Sequence, residues 1–269
     1  MLRILQLAKE WRRAREVIKM VWQAKGFEQG KFVLRYPDLP WYRTHAKAIM
    51  EILLSVATKL EQDSGLDLPD PTLCYVTTPE QAEIINKGAI GRAYHFAVTI
   101  GLHQNHLSTF AQTLAHELAH VLSLKLGNYE TPFKGEGFAC YLAASAGVDL
   151  MPMGLPVHYY PKWLISRGVS LRLGALWQRC DYSPELYDLA WSFTTFLAVQ
   201  YGKERYFAFY ADKSKDLNKR LIKFFGATAL TLQEKWSEFV WENVDAQPEQ
   251  IREMHRELGW VCSRALWLR

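Results

Sequence analysis

Residues 113–122 read TLAHELAHVL, with two histidines and a glutamate set in an otherwise apolar run. On a helix, His116 and His120 stand one turn apart on one face, so both imidazoles can reach a single metal ion at about 2.0–2.1 Å. Glu117 projects from the neighbouring face, rotated by about 100°. That places its carboxylate beside the metal, where it can take the proton of a bound water. Phe110, Leu114, Ala115, Leu118, Val121 and Leu122 surround the three without a charge until Lys125. Such a helix is mostly buried, and an ionised glutamate with two imidazoles there would be costly unless paired or bound to metal. A solvated helix with a polar pair at i,i+4 and a fortuitous glutamate would not be flanked by Leu and Ala throughout. The expected cofactor is one Zn²⁺ per chain.

A catalytic zinc keeps three protein ligands and an open position. The candidate third ligand is Glu136 in KGEGFACYLAASAG, on a second apolar helix 16 residues after His120. The loop LGNYETPFKG gives this helix room to return and pack across the first, and Gly135 and Gly137 would let these two helices approach closely. Glu130 is the rival, lying in the loop without apolar context. The plainer reading of Glu136 is an ordinary charge near a helix N-terminus, where the dipole favours it.

Other elements must position these groups. KFVLRYP (31–37) reads as a strand ended by Pro37, and WYRTHAKAIMEILLSVATKLEQDSG as a helix ending at Gly65. TLCYVTT (72–78) reads as a second strand, and PEQAEIINKGA as a short helix opened by Pro79. RAYHFAVTIGL (92–102), rich in aromatic and β-branched residues, reads as a single third strand. Ser108 can cap the next helix, which Gly127 stops. After VDLMPMGLPVHYYP (148–161), the best candidate for a boundary, the pattern is helical throughout.

Composition bounds what this frame can be. The 269 residues are 49% hydrophobic and 22% charged, with ten Trp, which supplies a sizeable core and excludes disorder. No stretch approaches the roughly 20 uncharged apolar residues of a membrane span. The N-terminal segment has charges throughout and does not read as a secretory signal, so a cytoplasmic protein is expected. Cys74, Cys140, Cys180 and Cys262 are far apart and form no CxxC pair, as expected of reduced thiols. The net charge of +4 is concentrated in residues 1–26. Its apolar residues Ile4, Leu7, Trp11, Ile18 and Val21 recur at helical spacing, giving a basic amphipathic helix. That helix either packs on its own domain or docks on an anionic membrane surface; nothing else in the chain supports nucleic-acid binding.

TLAHELAHVL followed by EGFACY resembles the gluzincin metallopeptidases, the thermolysin-like group with HExxH and a downstream Glu. More closely, the chain resembles bacterial peptidase MA-like domains. KFVLRYP, the long helix after it and TTPEQ fit that pattern, as do YDLAWSF with Tyr187, Ser192 and Phe193, LAVQYGKERYFAFYAD and GATALTLQEKWSEFV, so the resemblance covers about residues 31–243. Two positions depart from it. Cys140 stands one turn after Glu136, where the thermolysin-like pattern has an Asp that bonds a zinc histidine, and Ala190 stands where a Ser is usual.

The resemblance implies an α+β, zincin-like fold, with a small mixed β-sheet, an edge strand next to the HExxH helix and a mostly α-helical second half. The expected organisation is a basic helix over 1–30, a front half with the sheet and zinc helices over 31–147, and a helical back half closing the cleft over 148–269. It implies a zinc metallopeptidase acting on peptide or protein substrates, with metal ligands His116, His120 and Glu136. Glu117 is the general base and Tyr187 the expected oxyanion donor, ahead of His158, Tyr159 and Tyr160. HFAVTIGL is expected to be the edge strand that pairs with substrate, with His103 and His106 at the rim. Two alternatives differ in class: an inactive peptidase-like binding scaffold, and a zinc hydrolase of a non-peptide amide.

Overall fold

Burial alternates along FVLRY and the first part of TLCYVT, and both stretches are strands in the computed structural model, which describes residues 19, 23–86, 89–102, 107–127, 130–148 and 156–245. The expected basic helix before Gln23, His103, His106, the side chain of Ser108, residues 149–155 and the C-terminal helix lie outside what is described. The chain divides into two compact units, residues 1–122 with 145–148 and residues 123–144 with 149–269. The fold is α+β.

The first unit carries a five-stranded mixed sheet of β1 (Lys25–Gln29), β2 (Phe32–Tyr36), β3 (Thr72–Thr77), β4 (Gly91–Ala93) and β5 (Ala97–Gly101), in the order β1-β2-β3-β5-β4. The pairs β2–β3 and β3–β5 are parallel, and the two outer pairs are antiparallel. Parallel neighbours require crossovers. Helix α1 (Pro40–Ser64) and helix α2 (Pro79–Ile85) supply them. In α1, Tyr42, Ala46, Ile49, Met50, Leu53, Val56, Ala57 and Leu60 form one buried stripe, and Gly65 ends it in the left-handed region at φ 69. Thr78 and Gln81 form a reciprocal capping box at the start of α2. Helix α3 (Leu107–Leu126) follows β5.

Two expectations need correction here. Lys25–Gln29, inside the span read as N-terminal helix, is a strand that turns at Gly30 (φ 58) and pairs antiparallel with β2. All five of its residues are exposed, so it lacks the apolar alternation that marks a half-buried strand. The stretch 92–102 is a hairpin rather than one strand. Arg92 pairs with Thr99 and Ala93 with Val98, around an exposed turn of Tyr94, His95 and Phe96. The cause is hydrogen-bond satisfaction: β5 has β3 on one side, and the chain folds back to meet the backbone groups on its other side. The edge strands are therefore β1 and β4, and β5, the AVTIG of the expected HFAVTIGL edge strand, is interior.

The second unit is helical: α4 (Pro132–Ser145), α5 (Tyr159–Ser166), α6 (Leu173–Trp177), α7 (Pro184–Tyr201), α8 (Lys203–Ala211), α9 (Leu217–Phe225) and α10 (Ala229–Glu242). Ser183, Asp216 and Thr228 cap α7, α9 and α10 by accepting backbone N–H groups three residues on. The core is aromatic. Phe133, Phe138, Phe193, Phe196, Phe209, Tyr210 and Trp236 are fully buried. Every residue from Pro132 to Cys140 is buried, Lys134 and Glu136 included. No described helix is long and apolar enough to cross a membrane.

Candidate metal centre

The histidines of α3 lie four residues apart on one face. Their Nε2 atoms are 3.1 Å apart, with the rings perpendicular. Ligand atoms at zinc distances around a tetrahedral ion are about 3.3 Å apart, so the two imidazoles fit one ion. His120 is buried and His116 half-buried. One ligand atom from each of His116, His120 and Glu136 lies within 4.8 Å of the others. Two neutral imidazoles and a carboxylate form a donor set suited to a divalent transition metal, zinc among them.

Glu130, the rival third ligand, is engaged elsewhere. Its Oε2 accepts from Arg220 Nη1 at 2.7 Å and lies 3.9 Å from Lys134 Nζ. The close approach expected at Gly137 between α4 and the histidine helix is made with α7 instead. A Cβ there would stand 2.5 Å from Thr194 Oγ1 and 2.7 Å from the Ala190 carbonyl oxygen.

Glu117 is 8% exposed, and its carboxylate lies against the edge strand. A Cβ built at Gly91 would come within 2.6 Å of Glu117 Oε1 and 2.8 Å of Thr113 Cγ2. Only a residue without a side chain leaves room for that carboxylate beside β4. Sequence reading missed Gly91. The signal available was a glycine at the start of a β-rich run, where close backbone approach is a standard reason for it.

Tyr187 lies half-buried in the first turn of α7, followed by the buried Asp188. Cys140, one turn after Glu136, is buried. Burial first, then the charges of Glu136 and Asp188, push its thiol well above the ordinary range. It is held protonated and inert. Tyr160 is buried and stacks on Trp163. Burial, then Glu185 and Asp188, push its phenol up to about 12. Tyr159 is half-buried at the start of α5.

His158 is committed elsewhere. Trp236 Nε1 donates to Ser192 Oγ at 3.0 Å, which leaves the serine proton for His158 Nδ1 at 2.7 Å. The histidine ring packs edge-on against Phe239, and burial lowers its pKa to about 4. Its backbone is left-handed at φ 74, the one such non-glycine among the described residues. The residue therefore pins the start of α5 to α7 and α10. Ser192, part of the segment that resembles peptidase MA-like domains, is the shared node.

No family model matches the chain, and no curated protein matches it. Among solved structures, the chain is similar to the crystal structure of an aminopeptidase N family protein from Idiomarina loihiensis. Sequence identity is 14%, the TM-score is 0.35, and the match covers 91% of this chain and 46% of that one. The chain thus spans less than half the length of that protein.

Proposed function

We propose that this chain is a zinc-dependent metallopeptidase of the gluzincin type. The observation that carries the reading is the convergence of His116, His120 and Glu136 donor atoms within 4.8 Å, with the carboxylate of Glu117 in the helix turn that bears the two histidines. His116, His120 and Glu136 would hold the ion. Zinc bound there would polarise a peptide carbonyl and lower the pKa of a water.

The remaining work falls to side chains and backbone. Glu117 takes the proton of the attacking water and later passes it to the departing amine. Its burial suits this role, because a desolvated carboxylate is a better base than one held in water. Tyr187 is the proposed donor to the oxyanion that forms at the carbonyl. An extended peptide would align on the outer edge of β4, and the glycine at position 91 keeps the Glu117 carboxylate clear. Peptides and proteins are the proposed substrates.

The test is elemental mass spectrometry on tag-free protein, with the wild type beside His120→Ala and Glu136→Ala. The proposal expects one zinc per wild-type chain and its loss in both variants, followed by peptide-library turnover that Glu117→Gln abolishes while zinc stays bound. No zinc after incubation with the metal would overturn it.

A further inference from the structure

Strand β4 has two unlike faces. On one, a Cβ at Gly91 would stand 2.6 Å from Glu117 Oε1, so Gly91, and Ala93 by alternation, lie on the side of helix α3. On the other, Arg92 pairs with Thr99, whose hydroxyl donates to Asn86 Oδ1 at the end of α2, and a Cβ at Gly101 would stand 2.6 Å from Ala82 Cβ of the same helix. Ile90 and Tyr94, two residues to either side of Arg92, share its face and are 46% and 41% exposed. The backbone alternates as well. The Tyr94 N–H donates to the Ala97 carbonyl at 2.7 Å, and the Ile90 carbonyl accepts from the Gly101 N–H at 2.8 Å, so residues 90, 92 and 94 direct their backbone groups to β5. Those of Gly91 and Ala93 point to the outer edge, which no described strand covers. A strand added there bonds to Gly91 and Ala93, and its residue level with Arg92 carries a side chain on the face of Arg92.

We propose that Arg92 selects an acidic side chain in the bound peptide, at the position level with it, so that the substrates are segments in which an Asp or Glu alternates with apolar residues. The proposal rests on the peptidase reading given above and names its substrate class. Arg92 is half-buried, and among the described residues it makes no ion pair. Its guanidinium is a planar fork that matches a carboxylate. Opposite charges level with one another on adjacent strands stabilise the pairing, and like charges oppose it. The exposed Ile90 and Tyr94 offer apolar contact to the peptide side chains two residues to either side. Gly91 and Ala93 leave the face toward Glu117 without a charged side chain of its own strand. Selection by charge and the reaction itself thus fall on opposite faces of one strand, one residue apart.

The experiment uses synthetic peptides that carry glutamate, glutamine or lysine at a single position, moved stepwise along an otherwise constant sequence. Within each of the zinc-loaded wild type, Arg92→Gln and Arg92→Glu, kcat/KM is compared between peptides, so that a smaller folded fraction in a variant cancels from the ratio. The expected result in the wild type is a preference of about 2–5-fold for glutamate over glutamine at one fixed position near the cleaved bond, with lysine disfavoured there and the preference shrinking as salt is raised. Arg92→Gln should remove the preference and Arg92→Glu should reverse it; if the charge reversal does not fold, Arg92→Gln carries the test. A wild type without the preference overturns the proposal, as does a preference that survives in Arg92→Gln. A zinc-bound wild type that cleaves none of the peptides sinks the peptidase reading alone. Fluorescence anisotropy with the same peptides then decides Arg92: a glutamate-over-lysine binding preference lost in Arg92→Gln upholds the edge-strand site, and equal binding overturns it.

Discussion

Two clusters of ionisable groups lie at opposite ends of one short stretch, Glu130 to Glu136, and they are balanced in different ways. At the N-terminal end, Arg220 is 1% exposed by side chain and donates from Nη1 to Glu130 at 2.7 Å and to the Asp212 carbonyl at 3.1 Å. Its guanidinium lies over the rings of Trp177 and Phe209, and the Lys134 ammonium lies 4.6 Å from the centre of the Tyr210 ring. Burial, then repulsion from Arg220, lower the Lys134 pKa to about 8. This cluster carries its own cations and acids, and aromatic faces meet the excess positive charge. At the other end, Glu136 groups with His116 and His120, a set of donors that could hold a metal ion. A cluster that neutralises itself holds a fold together. Two imidazoles and a carboxylate are donors suited to a divalent transition metal.

That difference can be broken experimentally, and the largest effect should fall on chemistry. Glu117→Gln should cut peptide turnover by roughly 10²–10⁴-fold while zinc content by elemental analysis stays at the wild-type level. Arg220→Met tests the self-balanced end. It removes the cation that donates to Glu130 and to the Asp212 carbonyl and should lower unfolding stability by about 2 kcal/mol, read by chemical denaturation, with zinc uptake intact. Glu136→Ala should give the reverse, abolishing zinc uptake with little loss of metal-free stability. If both variants lost stability and metal together, the two ends would be one cluster and the comparison would fail.

His158 sharpens the contrast by adding a buried titratable group that depends on neither. Its folded pKa of about 4 lies below the ordinary 6.5, so the unfolded chain takes the proton first. The stability it gives is complete above about pH 6.5 and is lost as pH falls toward 4, by about 3 kcal/mol in all. Unfolding followed by tryptophan fluorescence at pH 7 and pH 4.5 should show this loss, and His158→Asn, which tolerates the left-handed backbone, should flatten the slope. The smallest expected effect is at the edge strand. Gly91→Ala forces a Cβ toward Glu117 Oε1 and should reduce turnover by about 10²-fold through misplacement of the carboxylate, with zinc affinity close to wild type.

Much of the frame was legible because it is local. The i,i+4 spacing of His116 and His120, the stripe of α1 and the capping box at Thr78 each lie within a turn or two of helix, where 3.6 residues per turn settles which side chains share a face. Strand β1 was not legible, since an exposed KGFEQ has no apolar pattern and is a strand only because β2 offers it hydrogen bonds. The hairpin of β4 and β5 was hidden for a related reason. A continuous β-rich run does not reveal where it turns until the third strand claims one side of β5.

The amino-acid sequence by itself determined the kinds of groups available and their spacing along each helix: two imidazoles a turn apart, a glutamate between them and a second glutamate 16 residues on. Only the tertiary structure decided that Glu130 goes to Arg220 while Glu136 joins the histidines, and that Gly91 clears a place for Glu117. The physical reason is range. Helical periodicity acts over a few residues, whereas the pairing of a buried charge depends on which distant chain segment displaces the water around it.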